Sequence, residues 1–393
     1  MSEYVQASGE KPRLVIVSGY GHDPFTPRGQ RTSWLVEELG RRWDVELIAM
    51  DHKPSSAKPG GTGTRTASLR RLAARLLYSV LLDRSEPWAF RRFRRGLSGA
   101  EGAVLIVSPW SPAVYASRAL AKAGIPYVVD AGDPWLLTFG DSRLPRAAWR
   151  IRRDEGFLWK RAAGAILTTE PQREALAEQF PGLEILVRPN GYRPVAPPPP
   201  APPREPGVLR IAHYGILSAT RIDPVPLLLE LARSGRWREI ELDQYGDDFG
   251  AGLDRLDGLV RIRHLEPVPW ERVVAGAGAY DLALAIAYPF PKLLPSKAIE
   301  YSTLPIPRLA LTNAIATDAL RRFAAERGGW LAVSAGEADI AAKVADFLDR
   351  GWTPSELAPD PRDAWPAVAA EVATFASQLL DRRTRPTAEV TAR

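Results

Sequence analysis

The segment Pro295-Ser296-Lys297-Ala298-Ile299-Glu300-Tyr301 sets a cation and a carboxylate one helical turn apart, so a helix opening at Ser296 carries both on one face. A diphosphate asks for positive charge and helix-terminal amides, and a ribose offers two neighbouring hydroxyls that a single carboxylate accepts. A surface ion pair worth at most about 0.5 kcal/mol explains the same spacing without any ligand. Ser296 reads as the helix cap. A second cation comes from His213-Tyr214-Gly215-Ile216-Leu217-Ser218-Ala219-Thr220-Arg221, where Gly215 follows a strand and Arg221 precedes a helix. Asp223 reads as the cap of that helix, which begins at Pro224.

The first half holds a different set. Ser18-Gly19-Tyr20-Gly21-His22-Asp23 leaves a strand, and Pro27-Arg28-Gly29-Gln30 opens a helix, so backbone amides near Gly21 and Gly29 can approach an anionic group. His22 is the one histidine of four in such a loop, which makes it the candidate general base; a solvated histidine is the plainer reading. Asp130-Ala131-Gly132-Asp133-Pro134-Trp135 projects from a strand end, with Asp133 placed to orient a hydroxyl and Asp130 to brace loop amides. Asp247-Asp248 lacks further residues at ligand spacing and reads as a turn, so no metal is required. The glycines do not form a dinucleotide fingerprint, and no Walker lysine, serine elbow or cysteine pair is present.

Positioning these groups falls to short β-type runs that alternate with helical patterns, the mark of parallel sheets covered on both faces. Six runs precede residue 190: Leu14–Ser18, Val45–Met50, Val104–Ser108, Tyr127–Asp130, Ala165–Thr168 and Ile185–Val187. Six more follow a proline-rich stretch: Leu209–Tyr214, Ile240–Tyr245, Val260–His264, Leu282–Ile286, Arg308–Leu311 and Trp330–Val333. The expected organisation is an α/β domain over 1–193, a linker over 194–207, a second α/β domain over 208–362, a helix over 363–382 packing back on the first domain, and a disordered tail over 383–393. Residues 51–66, rich in Gly, Pro, Ser and Lys, read as a mobile loop.

Composition narrows the classes. With 393 residues, 45% hydrophobic and 25% charged, the chain suits two cores of similar size. No apolar run approaches the roughly 20 residues that span a bilayer. The opening residues lack the apolar core of a secretory signal and cysteine is absent, so cytoplasmic residence is expected. Arg65 to Arg95 gathers nine arginines against Asp83 and Glu86. Its Leu72, Leu76, Leu77, Val80 and Leu81 follow helical spacing, which reads either as a solvated arginine face over a core helix or as a peripheral contact with the anionic inner membrane face. Nucleic acid is not expected, because no aromatic pattern interleaves with the charge.

In order, the glycine loop with Gly29-Gln30, Ser108-Pro109-Trp110-Ser111-Pro112, Asp130 to Trp135, Pro189-Asn190-Gly191-Tyr192, Tyr214-Gly215 with Arg221, and Pro295 to Tyr301 resemble the landmarks of family 4 glycosyltransferases. The resemblance runs from about Pro12 to about Arg382. It implies a GT-B fold, two doubly wound Rossmann-like domains facing an interdomain cleft, with the nucleotide sugar held by the second domain and the acceptor by the first. It also implies that Arg221 and Lys297 with Gly215, Leu294 and Ser296 contact the diphosphate, Glu300 the ribose, and Gly21, Gly29, Lys292 and Leu293 the donor sugar or acceptor. Asp133 and His22 are its catalytic candidates. Transfer would go with retention and without metal or cofactor, the nucleotide sugar being a co-substrate and the acceptor a glycan, glycolipid or small molecule of polysaccharide, glycolipid or secondary-metabolite assembly.

The sequence departs from the family pattern at Lys292, where a glutamate eight positions before Glu300 is common, and at Gly132, where a basic residue or histidine is common. Two rival functions follow: a catalytically silent scaffold binding a nucleotide sugar or partner enzyme, which these departures favour, and a sugar-nucleotide epimerase, which needs more histidines and carboxylates than are at hand.

Overall fold

The computed structural model describes residues 11–19, 21–22, 26–49, 95–107, 111–132, 145–196, 205–218 and 221–384. The loop read at 51–66, nearly all of the basic stretch 65–95, Asp133, most of the linker (197–204) and residues 385–393 lie outside them. By internal contacts the chain forms two compact units, and the division passes between Arg188 and Pro189, ahead of the proline run. The segment Thr168–Gln172 groups with the second unit, and the chain from Ala369 onward with the first.

The first unit is a six-stranded parallel sheet in the order β2-β1-β3-β4-β5-β6, built from β1 Arg13–Ser18, β2 Asp44–Ala49, β3 Gly102–Val107, β4 Tyr127–Ala131, β5 Gly164–Leu167 and β6 Glu184–Val187. Strand β1 shows why it is a covered sheet. Val15 and Val17 enter one core with Leu105, Val129 and Leu158, while Leu14 and Ile16 enter another with Leu35, Val104 and Leu380. Alternate side chains on a strand point to opposite faces, so an unbroken apolar run needs helices on both. The C-terminal helix Trp365–Thr384 supplies much of the second cover through Val372, Ala376, Leu379 and Leu380. Its last described residues extend the helix to Thr384, so the tail read from 383 begins as helix.

The second unit repeats the plan with β7 Val208–Tyr214, β9 Glu239–Tyr245, β11 Arg261–Leu265, β12 Leu282–Ile286, β13 Arg308–Thr312 and β14 Trp330–Ser334, in the order β11-β9-β7-β12-β13-β14. Two short strands, β8 Leu217–Ser218 and β10 Asp248–Phe249, pair beside it. Asp248 therefore opens a strand rather than a simple turn, and its Oδ1 accepts the Ala251 amide at 2.9 Å. Leu209 and Ile211 of β7 face one core, Ala212 and Tyr214 the other. Strand order reverses at β7 and β12, and in such sheets ligands settle beyond the strand ends at the reversal. β7 pairs with β9 along all seven residues but with β12 only at Ile211 and Ala212, so the two central strands part just before their carboxyl ends.

Candidate functional site

Glu300 and Lys297 lie on the helix Ser296–Tyr301, which follows β12 through the loop ending at Pro295. Pro295 occupies the N-cap position and no side chain caps the helix, so Ser296 is its first residue and not its cap. The helix is short, and its far end is held by Arg308 at the start of β13. That guanidinium is buried and donates to the carbonyls of Tyr301 at 3.1 Å, Ser302 at 2.7 Å and Leu357 at 2.5 Å. Burial lowers its pKa to about 9, and the carbonyls it caps are those that a helix end leaves open. On the inner face, Tyr301 accepts the Tyr214 amide at 2.7 Å and donates to the Tyr214 carbonyl at 3.1 Å, tying the helix to the end of β7.

So held, Lys297 Nζ and Glu300 Oε2 form an ion pair at 2.5 Å, with 48% and 23% of their side chains exposed. Lys297 also stands 5.0 Å from the centre of the Trp270 ring, which stacks on Tyr301 and meets Tyr214 edge-on. Arg221 reaches the end of β12: its guanidinium lies 3.7 Å over the Tyr288 ring, and Nη1 donates to the Ile286 carbonyl at 3.4 Å. Gly215 turns the chain out of β7 with φ at +145°, a conformation L side chains rarely adopt. Asp223 Oδ1 accepts the Val225 amide at 2.9 Å, the bond a cap makes to the second residue of a helix opening at Pro224, and its other oxygen pairs with Arg255 at 2.6 Å.

The remaining second-unit candidates divide. Leu293 is buried and its amide donates to the Phe290 carbonyl at 3.1 Å. The Lys292 carbonyl accepts the Thr169 hydroxyl at 2.8 Å. Leu294 packs against the core beside Ile299 and Tyr301.

One buried titratable group near these residues was not among the candidates read from the sequence. His213 is buried, its Nδ1 donates to the Leu284 carbonyl at 2.7 Å, and its pKa is lowered to about 4. Burial is the chief cause; the Leu284 bond opposes it, and the positive charges of Arg221 and Lys297 add to it. Both cations therefore act on one buried ring. The signal was available: along β7 the face of Leu209 and Ile211 continues with a histidine where an apolar residue is due.

In the first unit, Thr26 caps the helix Pro27–Gly40 by accepting the Gly29 amide at 3.1 Å. His22 is exposed, and its Nδ1 lies 3.1 Å from Ser33 Oγ. Because Ser33 donates its own proton to the Gly29 carbonyl at 3.0 Å, Nδ1 is the donor in that contact. Gly21 sits in the turn beside it. Asp130 does not brace loop amides. It is fully buried and takes Arg31 Nε at 2.6 Å and Arg28 Nη1 at 3.5 Å. The same Arg28 explains Gly132: a Cβ there would lie 0.9 Å from Arg28 Nη2, so the guanidinium fills the space of a side chain at that position. Asp133 falls outside the described residues.

Comparison with known proteins agrees with this architecture. Residues 29–191 match the family described as glycosyl transferase 4-like domain. No curated protein matches the chain by sequence. Among solved structures, a 2-epimerase of Listeria monocytogenes, described as a putative UDP-N-acetylglucosamine 2-epimerase, is similar with a TM-score of 0.57 and 13% identity, over 95% of this chain and 98% of its own. MnaA of S. aureus, solved with UDP, has a TM-score of 0.53 and 11% identity over 96% of this chain and all of its own, 100%. HepE of Anabaena, solved with UDP-glucose, has a TM-score of 0.52 and 12% identity over 94% and 98%. The two six-stranded parallel sheets are thus the α/β fold of the GT-B kind. Among the described residues no helix is long and apolar enough to cross a membrane.

Proposed function

We propose that this GT-B chain, whose residues 29–191 carry a glycosyl transferase 4-like domain, moves a sugar from a nucleoside diphosphate onto an acceptor hydroxyl. The observation that carries the reading is the gathering of Arg221, Lys297 and Glu300 where β7 and β12 part, the place where doubly wound sheets bind ligands. Arg221 and Lys297 neutralise the diphosphate as charge develops on the leaving oxygen, and Glu300 accepts from the ribose hydroxyls. Lys297 exchanges its ion pair with Glu300 for the phosphates, freeing the carboxylate for the sugar. The leaving phosphate assists the incoming hydroxyl, which gives retention without a metal, while Asp133 and His22 orient the acceptor from the first unit. Fold neighbours solved with UDP and UDP-glucose support a nucleotide sugar as the donor.

Gly132 favours an active enzyme over a silent scaffold. The guanidinium of Arg28 stands where a side chain at 132 would be, so this strand end keeps its cationic group, delivered from the helix. An acceptor carried on lipid would be met at the membrane by Arg65 to Arg95, which sedimentation with anionic vesicles tests.

The decisive measurement is thermal stabilisation by UDP-, GDP- and dTDP-sugars, followed by product analysis with the sugar that binds. A ligand at about 100 times its dissociation constant adds roughly 2.7 kcal/mol of stability. Nucleoside diphosphate release with a new glycosidic bond supports the proposal. An epimerised nucleotide sugar without diphosphate release replaces it with the epimerase, and binding without turnover on any acceptor replaces it with the scaffold.

A further inference from the structure

Beyond Ala212 and Ala283 the ladder between β7 and β12 stops, and the ring of His213 lies at the floor of the gap with Nδ1 on the Leu284 carbonyl. With the proton on Nδ1, Nε2 carries a lone pair. That atom is buried and has no hydrogen-bond partner among the described residues; a Cβ on Gly215 would stand 3.8 Å from it. Gln244 lies opposite His213 in register on β9 and is wholly buried. Its amide nitrogen donates to the carbonyls of Gly215 at 2.7 Å and Gly246 at 3.3 Å, which fixes its oxygen as Oε1, and Oε1 also lacks a donor among the described residues. Two buried acceptors thus sit on the same face of neighbouring strands, under the Gly215 turn. Orphaned buried polar groups are rare and costly enough to ask what completes them.

A proton on Nε2 turns this buried acceptor into a donor at the floor of the gap, beneath the Gly215 turn. The groups that bear on the ring are the Leu284 carbonyl of β12, Gln244 of β9, Arg221 ahead of the helix Val225–Arg233, and Lys297 of the helix Ser296–Tyr301. The last two are cations, and they are the groups assigned above to the diphosphate. Burial is the larger barrier to a proton on the ring and their field adds to it; a diphosphate that settles on them cancels that field and brings negative charge that favours the charged ring against burial.

We infer that His213 is the proton-carrying residue of the donor site: it is neutral in the free protein and takes one proton from solvent onto Nε2 when a nucleoside diphosphate sugar settles on Arg221 and Lys297. The inference rests on the proposed function. It gives the site a third positive charge at the stage when the departing diphosphate gains negative charge. No bond to substrate forms or breaks at the ring, and the proton returns to solvent when the nucleotide leaves.

Calorimetry tests it with whichever of UDP-glucose, GDP-mannose and dTDP-glucose stabilises the protein, because their diphosphate diesters do not themselves titrate between mild acid and neutrality. Binding is measured from pH 5.5 to 7.5 in two buffers of different ionisation enthalpy. Wild type takes up as much as one proton, and affinity tightens by up to about tenfold for each unit of falling pH. His213→Asn keeps a donor in the Nδ1 position but removes Nε2; it melts near wild type, shows buffer-independent heats and binds with affinity insensitive to pH. Proton uptake that survives in His213→Asn overturns the assignment, as do buffer-independent heats in wild type. Should the variant fail to fold, ¹⁵N spectra of the wild-type imidazoles decide: a bound-state ring protonated on Nδ1 alone overturns it. If none of the three sugars binds, the proposed function falls; if one binds without proton uptake, only this inference falls.

Discussion

At the end of β4, Asp130 is fully buried between two guanidiniums that are themselves buried, Arg31 and Arg28. At the ends of β7 and β12, Lys297 and Glu300 keep 48% and 23% of their side chains exposed while they pair. Both clusters combine arginine or lysine with a carboxylate at a strand end, yet they answer different demands. A desolvated charge is tolerable only while its partner is present, so the first cluster is fixed by the energy of the fold. A half-exposed charge exchanges water or a neighbour for a ligand at little cost, so the second is free to bind.

Breaking the buried cluster should have the largest effect. Asp130→Ala leaves two guanidiniums without their carboxylate and is expected to lower unfolding free energy by about 3–5 kcal/mol, read from the urea midpoint at constant slope. A loss under about 1 kcal/mol would erase the contrast between the clusters. Gly132→Ala must displace the Arg28 guanidinium from a space it shares with Asp130, and should cost about 1–3 kcal/mol in the same assay.

The exposed cluster should behave in the opposite way. Arg221→Ala and Glu300→Ala are expected to melt within about 1 kcal/mol of wild type when free, yet to lose the roughly 2.7 kcal/mol that a saturating nucleotide sugar provides at about 100 times its dissociation constant. Variants that respond to the sugar like wild type would move the donor site elsewhere.

The difference between the clusters also marks what the sequence can disclose. Lys297 and Glu300 are three residues apart on one helix, and local spacing alone places them together. Arg31 and Asp130 are 99 residues apart, and only the packing of the helix Pro27–Gly40 beside β4 brings them into contact. The same holds for Arg28 and Gly132, so a missing side chain in the sequence turned out to be a space filled from elsewhere. The sheets were legible because short, nearly continuous apolar runs that alternate with helical patterns fit parallel strands covered on both faces, as in β1 and β7. Ser296 was misread because cap propensity favours serine, whereas Pro295 already sits at the N-cap with its ring-fixed φ of −57°. His213 was passed over because it lies in a strand, and neither the parting of β7 from β12 nor the nearness of two cations can be seen in one dimension.

His213 belongs to both kinds of region, buried like Asp130 but lying under the exposed cations, and its titration sharpens the comparison. Its folded pKa of about 4 lies below the ordinary 6.5, so between those values the unfolded chain holds a proton that the folded ring refuses. Stability contributed by the neutral ring is complete above pH 6.5 and declines as pH falls towards 4, by about 1.4 kcal/mol per unit. Urea melts across that window should show this slope in wild type, superimposed on other groups, and a difference of that size against His213→Asn. An unchanged slope in the variant would mean that the ring is protonated in the free fold.

The smallest effect belongs to the Lys297 and Glu300 pair. At half exposure, three residues apart on a short helix, its coupling should be about 0.5 kcal/mol or less, measured by a double-mutant cycle of Lys297→Gln and Glu300→Gln in the free protein. Weak coupling here is what function requires. A pair bound as firmly as the Asp130 cluster could not release its ammonium to a diphosphate and its carboxylate to a ribose at once. The cycle repeated at saturating nucleotide sugar should show the direct coupling gone, because each partner then faces the ligand. A coupling of several kcal/mol in the free protein would make this pair a structural clasp like Asp130 and its arginines, and would remove the distinction between the two strand ends.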